Sequence, residues 1–586
     1  MQIVRGIPVS PGYVIGRVFV QDDQTQRIAP RPIDRVQVEA EVGRLDEALE
    51  RSVADLAEVQ QRSQEAMGAE AAKIFLFHIG VLEDPTLVGP MRKIISEEGL
   101  CAEYAVYHVF ERWAARFGAM ADTAITTKVD DLRDLAGRVL GHLIGEHAGR
   151  LRQLQRQAVV IARDLTPSQA ADFDRDLVMA FATDFGGRTS HTAIVARALR
   201  IPAVVGCHDL TRRAADGQWI IIDGDRGLVI LEPDQQHLDR YRQLMEQASA
   251  FQVSLREVVT LPSETADGVG VCILGNIEFP DEISSILELG GEGVGLYRTE
   301  FLYLTRQSEP SEEEHFESYR KCVELLEGRE LTIRTVDLGA DKYTQRQLGA
   351  PERNPFLGLR SIRYSLHHLS DFKTQLRAIL RASALGPIKI MIPLVTNTGE
   401  MRQARAILRD VMEDLADEGV AFDRTIRVGM MVEVPAAAVM ADTFAREADF
   451  FSIGTNDLTQ YTLAVDRTNE RVANLFTPAH PAVLRLIREV MRAGLRRETP
   501  VSCCGESAGD VEYAILLLGL GLRTLSVAPP SIPHIRRLVR SVTIRQCERI
   551  ARRAVALDSD GEVAAYVRDQ ARKIIPEAFE GRALDE

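Results

Sequence analysis

The segment Gly186-Gly187-Arg188-Thr189-Ser190-His191-Thr192-Ala193-Ile194-Val195-Ala196-Arg197 combines a turn, a helix start and one histidine. Its two glycines permit a sharp turn, and Thr189 or Ser190 can cap the free amides of a following helix. The apolar residues recur at helical spacing as far as Leu199. His191 is therefore expected in the first turn, where backbone N–H groups and the helix dipole favour an anion, such as a phosphoryl group on the imidazole. The alternative is an ordinary capped helix with a solvated histidine.

The length, charge and cysteine content of the chain limit the kind of protein in which this segment can lie. A chain of 586 residues is too long for one hydrophobic core and predicts two to four domains. The net charge of -15 argues against nucleic-acid binding and is compatible with a basic protein partner. Seven scattered cysteines without metal-ligand spacing indicate reduced thiols in a cytoplasmic protein. No signal peptide or membrane-spanning run is evident, which predicts a cytoplasmic location without membrane insertion.

The first 234 residues divide into a strand-rich part and a helical part. Residues 1–33 begin with strand-like runs around Pro11-Gly12, whereas residues 34–148 show apolar residues at helical spacing. Strand character returns within residues 149–234. We therefore expect an α/β domain made of residues 1–33 and 149–234, which presents His191, with residues 34–148 inserted as an all-helical subdomain. The expected strands of the second part are Ala158–Ala162, Leu177–Phe181, Ala203–Val205 and Trp219–Gly224.

The remainder of the chain predicts a linker and a barrel. Residues 235–262 are typical of a polar amphipathic helix and of a hinge. Residues 263–586 alternate apolar runs with helical stretches, and eight such runs predict a (β/α)8 TIM barrel. The runs are Val269–Ile277, Gly293–Phe301, Leu331–Leu338, Ile388–Val395, Val428–Val434, Phe450–Ile453, Val501–Cys504 and Leu525–Ala528.

Four arginines lie near the ends of these predicted barrel strands, where active sites of such barrels are built. They are Arg298, Arg334, Arg360 and Arg467. Four guanidiniums at one barrel mouth would repel each other unless a polyanion lay between them, and their fork-like geometry suits phosphate and carboxylate. Taken singly, an arginine after a strand is more often a surface or salt-bridge residue.

Two carboxylates and a pair of cysteines occupy the same strand ends. Glu433 and Asp457 offer the oxygen ligands that Mg²⁺ prefers, although either carboxylate could instead be a structural partner of the arginines. Cys503 and Cys504 cannot both face a substrate, because alternate strand residues point to opposite sides. A buried, inert thiol is the alternative for each.

The motif around His191 resembles the phosphohistidine signature of enzymes that exchange phosphate with phosphoenolpyruvate. Among these it is similar to Enzyme I of the sugar phosphotransferase system. Pyruvate phosphate dikinase and phosphoenolpyruvate synthase carry a similar segment, commonly with Cys in place of Ser190. The helical stretch Ile74–Asp84 also resembles Enzyme I. Further stretches resemble its phosphoenolpyruvate-binding barrel, namely Gly295–Phe301, Ile333–Asp337, Asn354–Arg360, Met431–Pro435, Gly454–Tyr461 and Ser502–Gly509.

This resemblance implies a role for each site residue. His191 would take the phosphoryl group, Cys504 would donate a proton to the enolate of pyruvate, and Glu433 with Asp457 would hold Mg²⁺. Phosphoenolpyruvate would be bound by Arg298, Arg334, Arg360, Asn456, Asp457 and Arg467.

The resemblance also implies partners. The phosphoryl group would pass to a histidine of an HPr-type phosphocarrier protein docked on the helical subdomain, and the barrel would form a homodimer. His78 is then either a carrier contact or a helix-packing residue. The acidic residues nearby are either carrier contacts or a solvated face; they are Glu65, Glu70, Glu83 and Asp84.

Three other functions are compatible with parts of the sequence. A nitrogen-type paralogue would run the same chemistry with a regulatory carrier. A dikinase relative would need a nucleotide-binding domain, for which the helical residues 34–148 offer no room. A non-catalytic scaffold would not need His191, the arginines, the carboxylates and Cys504 together. Pro529-Pro530 departs from the Enzyme I pattern, which puts the barrel rim and dimer surface in doubt.

Overall fold

A computed structural model describes most of the chain. The described residues are 1–21, 28–67, 78–118, 128–144, 154, 156–165, 177–186, 196, 201–304, 309–339, 352, 354–467, 469 and 471–579. His191 lies outside these residues, as do the other residues of 187–195 in the predicted phosphohistidine turn. The chain forms two compact units, one of Met1–Ser249 with Glu580–Glu586 and the other of Ala250–Phe579. The four finer segment boundaries expected from the sequence remain predictions.

The first unit contains one eight-stranded mixed sheet. Its strands are β1 Gln2–Arg5, β2 Ile7–Ser10, β3 Tyr13–Gln21, β4 Ala158–Ala162, β5 Val178–Thr183, β6 Ala203–Val205, β7 Trp219–Asp223 and β8 Leu228–Leu231. The strand order is β1-β8-β7-β3-β4-β5-β6-β2. Strand β3 pairs in parallel with β4, so the N-terminal strands and residues after the helical insertion share one sheet. Strand β8 was not predicted from the sequence; it pairs antiparallel with β7 across a short turn.

A separate hydrophobic core is formed by the helical part of this unit. Its long helices are Val38–Met67, Pro85–Glu98, Ala102–Gly118 and Lys128–Ile144, and a short helix, Leu210–Arg213, follows β6. His78 is fully buried, which favours its packing role. The Asp84 carboxylate accepts a hydrogen bond from the Thr86 N–H at 2.8 Å and so caps a helix. Glu65 and Glu70 have no described side chains.

The predicted linker is a helix, Gln235–Val258. Within the first unit, the Tyr241 hydroxyl donates a hydrogen bond to the buried Asp223 carboxylate at 2.8 Å, which ties the start of this helix to strand β7. The seven cysteines, all within the described part of the chain, are free thiols. No helix among the described residues is long and apolar enough to cross a membrane.

The second unit is a closed barrel of eight parallel strands, which confirms the predicted TIM-barrel fold. The strands are β9 Cys272–Ile277, β10 Val294–Arg298, β11 Leu331–Arg334, β12 Ile388–Ile392, β13 Arg427–Val432, β14 Phe451–Ile453, β15 Val501–Cys503 and β16 Thr524–Val527. All eight coincide with predicted apolar runs. Side chains on alternate strand positions pack either inside the barrel, as Met431 does, or against the outer helices, as Met430 and Val432 do.

Helices follow the barrel strands and cover their outer faces. They are Glu282–Glu288, Phe301–Leu304, Glu312–Leu326, Ile362–His367, Leu369–Ser383, Thr398–Asp417, Pro435–Val439, Ala441–Phe444, Thr455–Leu463, Pro481–Arg497, Val511–Gly519, Ile532–Ser541, Ile544–Val555 and Asp560–Ile574. The paired prolines that depart from the family pattern open a short 3₁₀ turn, Pro529–Ser531. A proline at the start of a helical turn loses no hydrogen bond, since that N–H has no partner there.

Arg536 is a buried cation of the barrel unit, and its loss should destabilise the folded state. Its guanidinium donates hydrogen bonds to the carbonyl oxygens of Val259, Leu261 and Gly290. Arg536→Met would leave these carbonyls without that donor and should lower the free energy of unfolding by about 2–4 kcal/mol. Calorimetry of the barrel transition measures the change. Arg540→Met is the control, because Arg540 is less buried and, among the described residues, donates to a single carbonyl, that of Pro262. Equal losses in the two variants would contradict the prediction.

Candidate active site

The carboxyl ends of the barrel strands bring most of the predicted site residues together. Arg298 and Arg334 are the last residues of β10 and β11 and are partners in the register of these neighbouring strands. Glu433 directly follows β13, and Cys504 directly follows β15. Asp457 lies in the first turn of the helix Thr455–Leu463, just after β14. Parallel strands of a closed barrel end on one face, so these side chains share one mouth.

Arg334 and Arg360 are buried side chains joined by one carboxylate. Asp337 lies 3.0 Å from the Arg334 guanidinium, and its two oxygens accept hydrogen bonds from Arg360 at 3.0 and 3.1 Å. Burial by itself would raise the pKa of Asp337. The charges of Arg360 and Arg334 outweigh burial and hold that pKa well below its usual range. Asp337 is therefore an ionised bridge between two buried guanidiniums.

Arg334 keeps one donor free for a ligand. One guanidinium nitrogen donates to Glu300 at 2.5 Å and another lies 3.0 Å from Asp337. The Nε–H is buried and meets no acceptor among the described residues. A buried, unpaired donor costs free energy, which an incoming anionic oxygen would recover.

Arg360 is bound on three sides. Besides Asp337, it contacts both oxygens of Asp457 at 3.2 and 3.3 Å and the Tyr461 hydroxyl at 3.0 Å. Tyr461 in turn donates to the Phe356 carbonyl at 2.5 Å. In this structure Asp457 is thus a partner of Arg360, the alternative that the sequence left open. The paired contacts fix the plane of the guanidinium.

Glu433 is a buried carboxylate held by backbone. Its Oε1 accepts a hydrogen bond from the Leu394 N–H at 2.6 Å, and Leu394 has the left-handed φ of 51° that non-glycine residues rarely adopt. A Cβ on Gly454 would lie 2.9 Å from Oε2, so glycine leaves the space that this carboxylate fills. Burial, followed by the charges of Asp457 and Asp337, raises the pKa of Glu433 to about 8.

The donor set at this mouth fits Mg²⁺ only when a ligand or water completes it. Among the described residues, no group of three or more histidine, cysteine or acidic side chains is arranged to hold a metal ion. Mg²⁺ is commonly bound by one or two carboxylates together with water and substrate phosphates. Glu433 and Asp457 provide two such carboxylates, and the raised pKa of Glu433 marks a position where a cation would replace a proton.

The charges at the mouth support the same fit. Each of the four predicted arginines has a carboxylate close to its guanidinium. The four are Arg298, Arg334, Arg360 and Arg467. The carboxylates that pair with these arginines or lie beside their partners are Glu278, Glu300, Asp337, Glu433, Asp457 and Glu506. Among these described side chains, the carboxylates outnumber the guanidiniums by two. A companion cation or a protonated carboxylate would therefore favour the binding of an anionic ligand here.

The remaining predicted residues form a more exposed rim. Arg298 donates to Glu278 at 2.9 Å. Asn456 exchanges two hydrogen bonds with Glu506, and Arg467 lies 3.5 Å from the same carboxylate. A cavity of about 520 Å³ is lined by Arg298, Glu278 and Glu506, so both rim groups open onto one space. Pro529 also lines this cavity.

The two cysteines point to opposite sides, as strand geometry predicts. Cys503 packs among the residues between barrel and helices, whereas Cys504 packs inside the barrel with Leu296 and Met431. Burial raises the pKa of the Cys504 thiol to about 11. The thiol is therefore protonated at neutral pH and is able to donate a proton.

Several residues of this mouth were not predicted as site residues. Glu278, Glu300, Asp337 and Glu506 are the carboxylates that pair with the arginines, and Tyr461 orients Arg360. Glu300 and Asp337 stand two or three residues after a strand-end arginine, a spacing that was available as a signal. Glu278 and Glu506 follow other strands and become neighbours only through barrel closure. The position of His191 relative to this mouth remains a prediction.

Glu433 should make the stability of the metal-free barrel depend on pH. Its folded pKa of about 8 exceeds the usual 4.5, so the retained proton stabilises the folded state at low pH. This contribution declines as the pH rises from the usual value toward 8. We expect the thermal midpoint, measured with a chelator between pH 5 and 8, to fall less in Glu433→Gln than in wild type. Parallel curves for the two proteins would contradict the prediction.

Comparisons with known proteins agree with this architecture along the whole chain. Three family descriptions match: "PEP-utilising enzyme, N-terminal" at residues 5–127, "PEP-utilising enzyme, mobile domain" at residues 154–227 and "PEP-utilising enzyme, PEP-binding domain" at residues 252–544. The last of these covers the barrel strands and every predicted site residue except His191, which falls within the mobile-domain match.

Curated relatives match over nearly full length. A phosphoenolpyruvate-protein phosphotransferase of Bacillus subtilis is 40% identical over 97% of this chain and 100% of its own length. The protein of the same name from Geobacillus stearothermophilus is 42% identical over 96% of this chain and 97% of its own. A solution structure titled as Enzyme I (nEIt) is 36% identical, covers 42% of this chain and 98% of its own, and has a TM-score of 0.36.

These matches decide between the families that the sequence left open. They support the phosphotransferase interpretation and not the regulatory alternative. The near-complete coverage and the identity of about 40% place the barrel and the segment that contains His191 in one known type of protein. The chain belongs to the phosphoenolpyruvate-protein phosphotransferase family of phosphoenolpyruvate-utilising enzymes.

Proposed function

We propose that this protein transfers the phosphoryl group of phosphoenolpyruvate to His191, releases pyruvate, and passes the group to a histidine of an HPr-type phosphocarrier protein to energise sugar uptake. The observation that best supports the proposal is the buried pair of Arg334 and Arg360 at the barrel mouth, bridged by Asp337. Two guanidiniums held rigidly in a low-dielectric site bind a phosphate or carboxylate far more strongly than exposed ones do.

The buried and the exposed arginines would bind phosphoenolpyruvate from different sides. Arg334 and Arg360 are fixed by their carboxylates, and the free Nε–H of Arg334 is available to a substrate oxygen. Arg298, Asn456 and Arg467 would contact the substrate from the more exposed rim, exchanging their present bonds to Glu278 and Glu506. Mg²⁺, held by Glu433 and Asp457, would supply charge neutralisation for the phosphoryl oxygens and the enolate.

The chemical step balances with two side chains. A neutral imidazole nitrogen of His191 forms a bond to phosphorus while the bond between phosphorus and the enol oxygen breaks, and the electron pair of that bond leaves with the enolate. The Cys504 thiol then gives its proton to the methylene carbon, which yields pyruvate, and the thiolate regains a proton from water. Buried guanidiniums stabilise the negative charge that develops on oxygen.

Onward transfer requires His191 to leave the barrel mouth. The α/β domain of residues 1–33 and 149–234 would swing about the linker, residues 235–262, toward a carrier docked on residues 34–148. Residues 263–586 would bind phosphoenolpyruvate and form the homodimer. We place the protein in the cytoplasm, where its substrate and carrier are available.

Labelling with ³²P-phosphoenolpyruvate and Mg²⁺ tests the proposed function. We expect acid-labile, base-stable label and pyruvate release with wild type, and neither with His191→Ala, because the acceptor nitrogen is gone. His108→Ala is the matched control, since His108 is an exposed histidine of the helical subdomain. Unlabelled wild-type protein that is folded, or label retained by His191→Ala, would overturn the proposal.

Replacing Cys504 should separate the two half-reactions. In Cys504→Ala, pyruvate release from phosphoenolpyruvate should fall by about 10²- to 10⁴-fold, because the enolate loses its acid. Transfer from the phosphorylated carrier back to His191 needs no proton at the barrel and should be unchanged. Cys503→Ala is the control, since this neighbouring thiol packs outside the barrel. Loss of both half-reactions, or of neither, would exclude Cys504 as the proton donor.

A further inference from the structure

Gln375 is a fully buried amide that joins an outer helix to the strand ends of the active site. It lies in the helix Leu369–Ser383 and has no exposed surface. Its Oε1 accepts a hydrogen bond from the Val336 N–H at 3.0 Å. Its Nε2 donates to Thr299 Oγ1 at 3.0 Å and to the Tyr319 hydroxyl at 3.2 Å. Its carbonyl oxygen and both of its N–H groups are therefore used.

Thr299 continues this connection to the next backbone group. Its Oγ1 accepts from Gln375 and donates to the Arg334 carbonyl oxygen at 2.9 Å. Gln375 therefore holds Val336 N–H directly and Arg334 C=O through Thr299. These two groups flank Thr335, within the short segment 334–337 that carries both members of the Arg334–Asp337 ion pair.

The outer half of the network extends from the amide to three buried ring side chains. The Tyr319 hydroxyl, which accepts from Gln375, can donate to His315 Nδ1 at 3.0 Å, and His315 Nε2 lies 3.3 Å from the Tyr303 hydroxyl. All of these side chains are buried. A reversed amide would set its NH₂ group against the Val336 N–H, donor against donor, so the contact with Val336 is sufficient to fix the orientation of Gln375.

This network lies where a small change in its geometry would move residues of the substrate site. Strand β11 ends at Arg334, and Val336 and Asp337 lie beyond its regular ladder. A small movement of Asp337 would displace Arg360, which depends on that carboxylate for two hydrogen bonds. Displacements of about 1 Å at such positions commonly cost about 10²-fold in rate.

We propose that Gln375 is a positioning residue for phosphoenolpyruvate binding, acting through the backbone of residues 334–337 on Arg334, Asp337 and Arg360. This inference rests on the proposed function, because the ligand of the arginines is taken from it. Among the described contacts, Gln375 makes no hydrogen bond or ion pair with these three side chains. It sets the geometry in which they meet the substrate.

The test compares two substitutions that remove different hydrogen bonds of the same network. Gln375→Met keeps the volume but removes the bonds to Val336 and Thr299. We expect the KM for phosphoenolpyruvate to rise about 10-fold and kcat/KM to fall about 10- to 100-fold. Tyr319→Phe is the matched control, because Tyr319 is equally buried and the substitution removes hydrogen bonds only from the outer half of the network. It should lower the thermal midpoint, while kcat/KM stays within about twofold of the wild-type value.

The readout distinguishes positioning from a loss of folded protein. A smaller folded fraction lowers the apparent kcat but leaves KM unchanged, and the active fraction is counted by labelling His191 from phosphorylated carrier. Thr299→Val removes the bond to the Arg334 carbonyl and provides a second test if Gln375→Met does not fold. It should raise KM in the same direction.

The outcomes separate the two proposals. Wild type that does not turn over phosphoenolpyruvate would refute the proposed function itself. Active wild type, with Gln375→Met and Thr299→Val showing unchanged KM, would overturn the positioning role. An equal rise of KM in Tyr319→Phe would also overturn it, because the effect would then be one of general packing.

Discussion

The ionised carboxylate of Asp337 is the contact on which the barrel mouth depends. It lies between Arg334 and Arg360, two guanidiniums that are almost completely buried. Without a negative charge between them, two cations in a medium of low dielectric would repel strongly. The ion pairs keep Asp337 ionised against the effect of its burial. In exchange, its fixed oxygens keep both arginines oriented toward the mouth.

Carboxylates at this mouth have different protonation states because their neighbours differ. Asp337 lies between two cations and has a lowered pKa, whereas Glu433 is buried beside other carboxylates and has a pKa raised to about 8. One therefore serves as a permanent partner of the arginines, and the other can exchange a proton for a cation. Such a separation of similar groups by environment is a common feature of sites that handle charged substrates.

The outer helices contribute to this site without reaching it. Gln375 and Thr299 hold backbone groups just where the regular hydrogen bonding of β11 ends. A strand end that leaves its ladder would otherwise carry unpaired, buried N–H and C=O groups. At the end of β11 the barrel fold provides the solution, because the helix behind it supplies the buried amide of Gln375. The rim residues Arg298, Asn456 and Arg467 lack this support and are correspondingly more exposed.

The sequence by itself determined the order of elements and the identity of the family. Apolar runs such as Ile388–Ile392 and Val501–Cys503 are local patterns, and eight of them were sufficient to predict the barrel. The motif around His191 and the strand-end arginines identified the chemistry to be expected. Strand β8 was missed because its short apolar run follows β7 after only a turn.

Only the tertiary structure decided which charges are neighbours. Asp337, Arg360 and Asp457 are far apart along the chain, and their contacts arise because the strands of a closed barrel end on one face. The same holds for Gln375, whose partners Thr299 and Val336 belong to two other elements. Periodicity and motifs depend on residues close in sequence. Ion pairing and pKa values depend on distance and burial, which the folded chain alone defines.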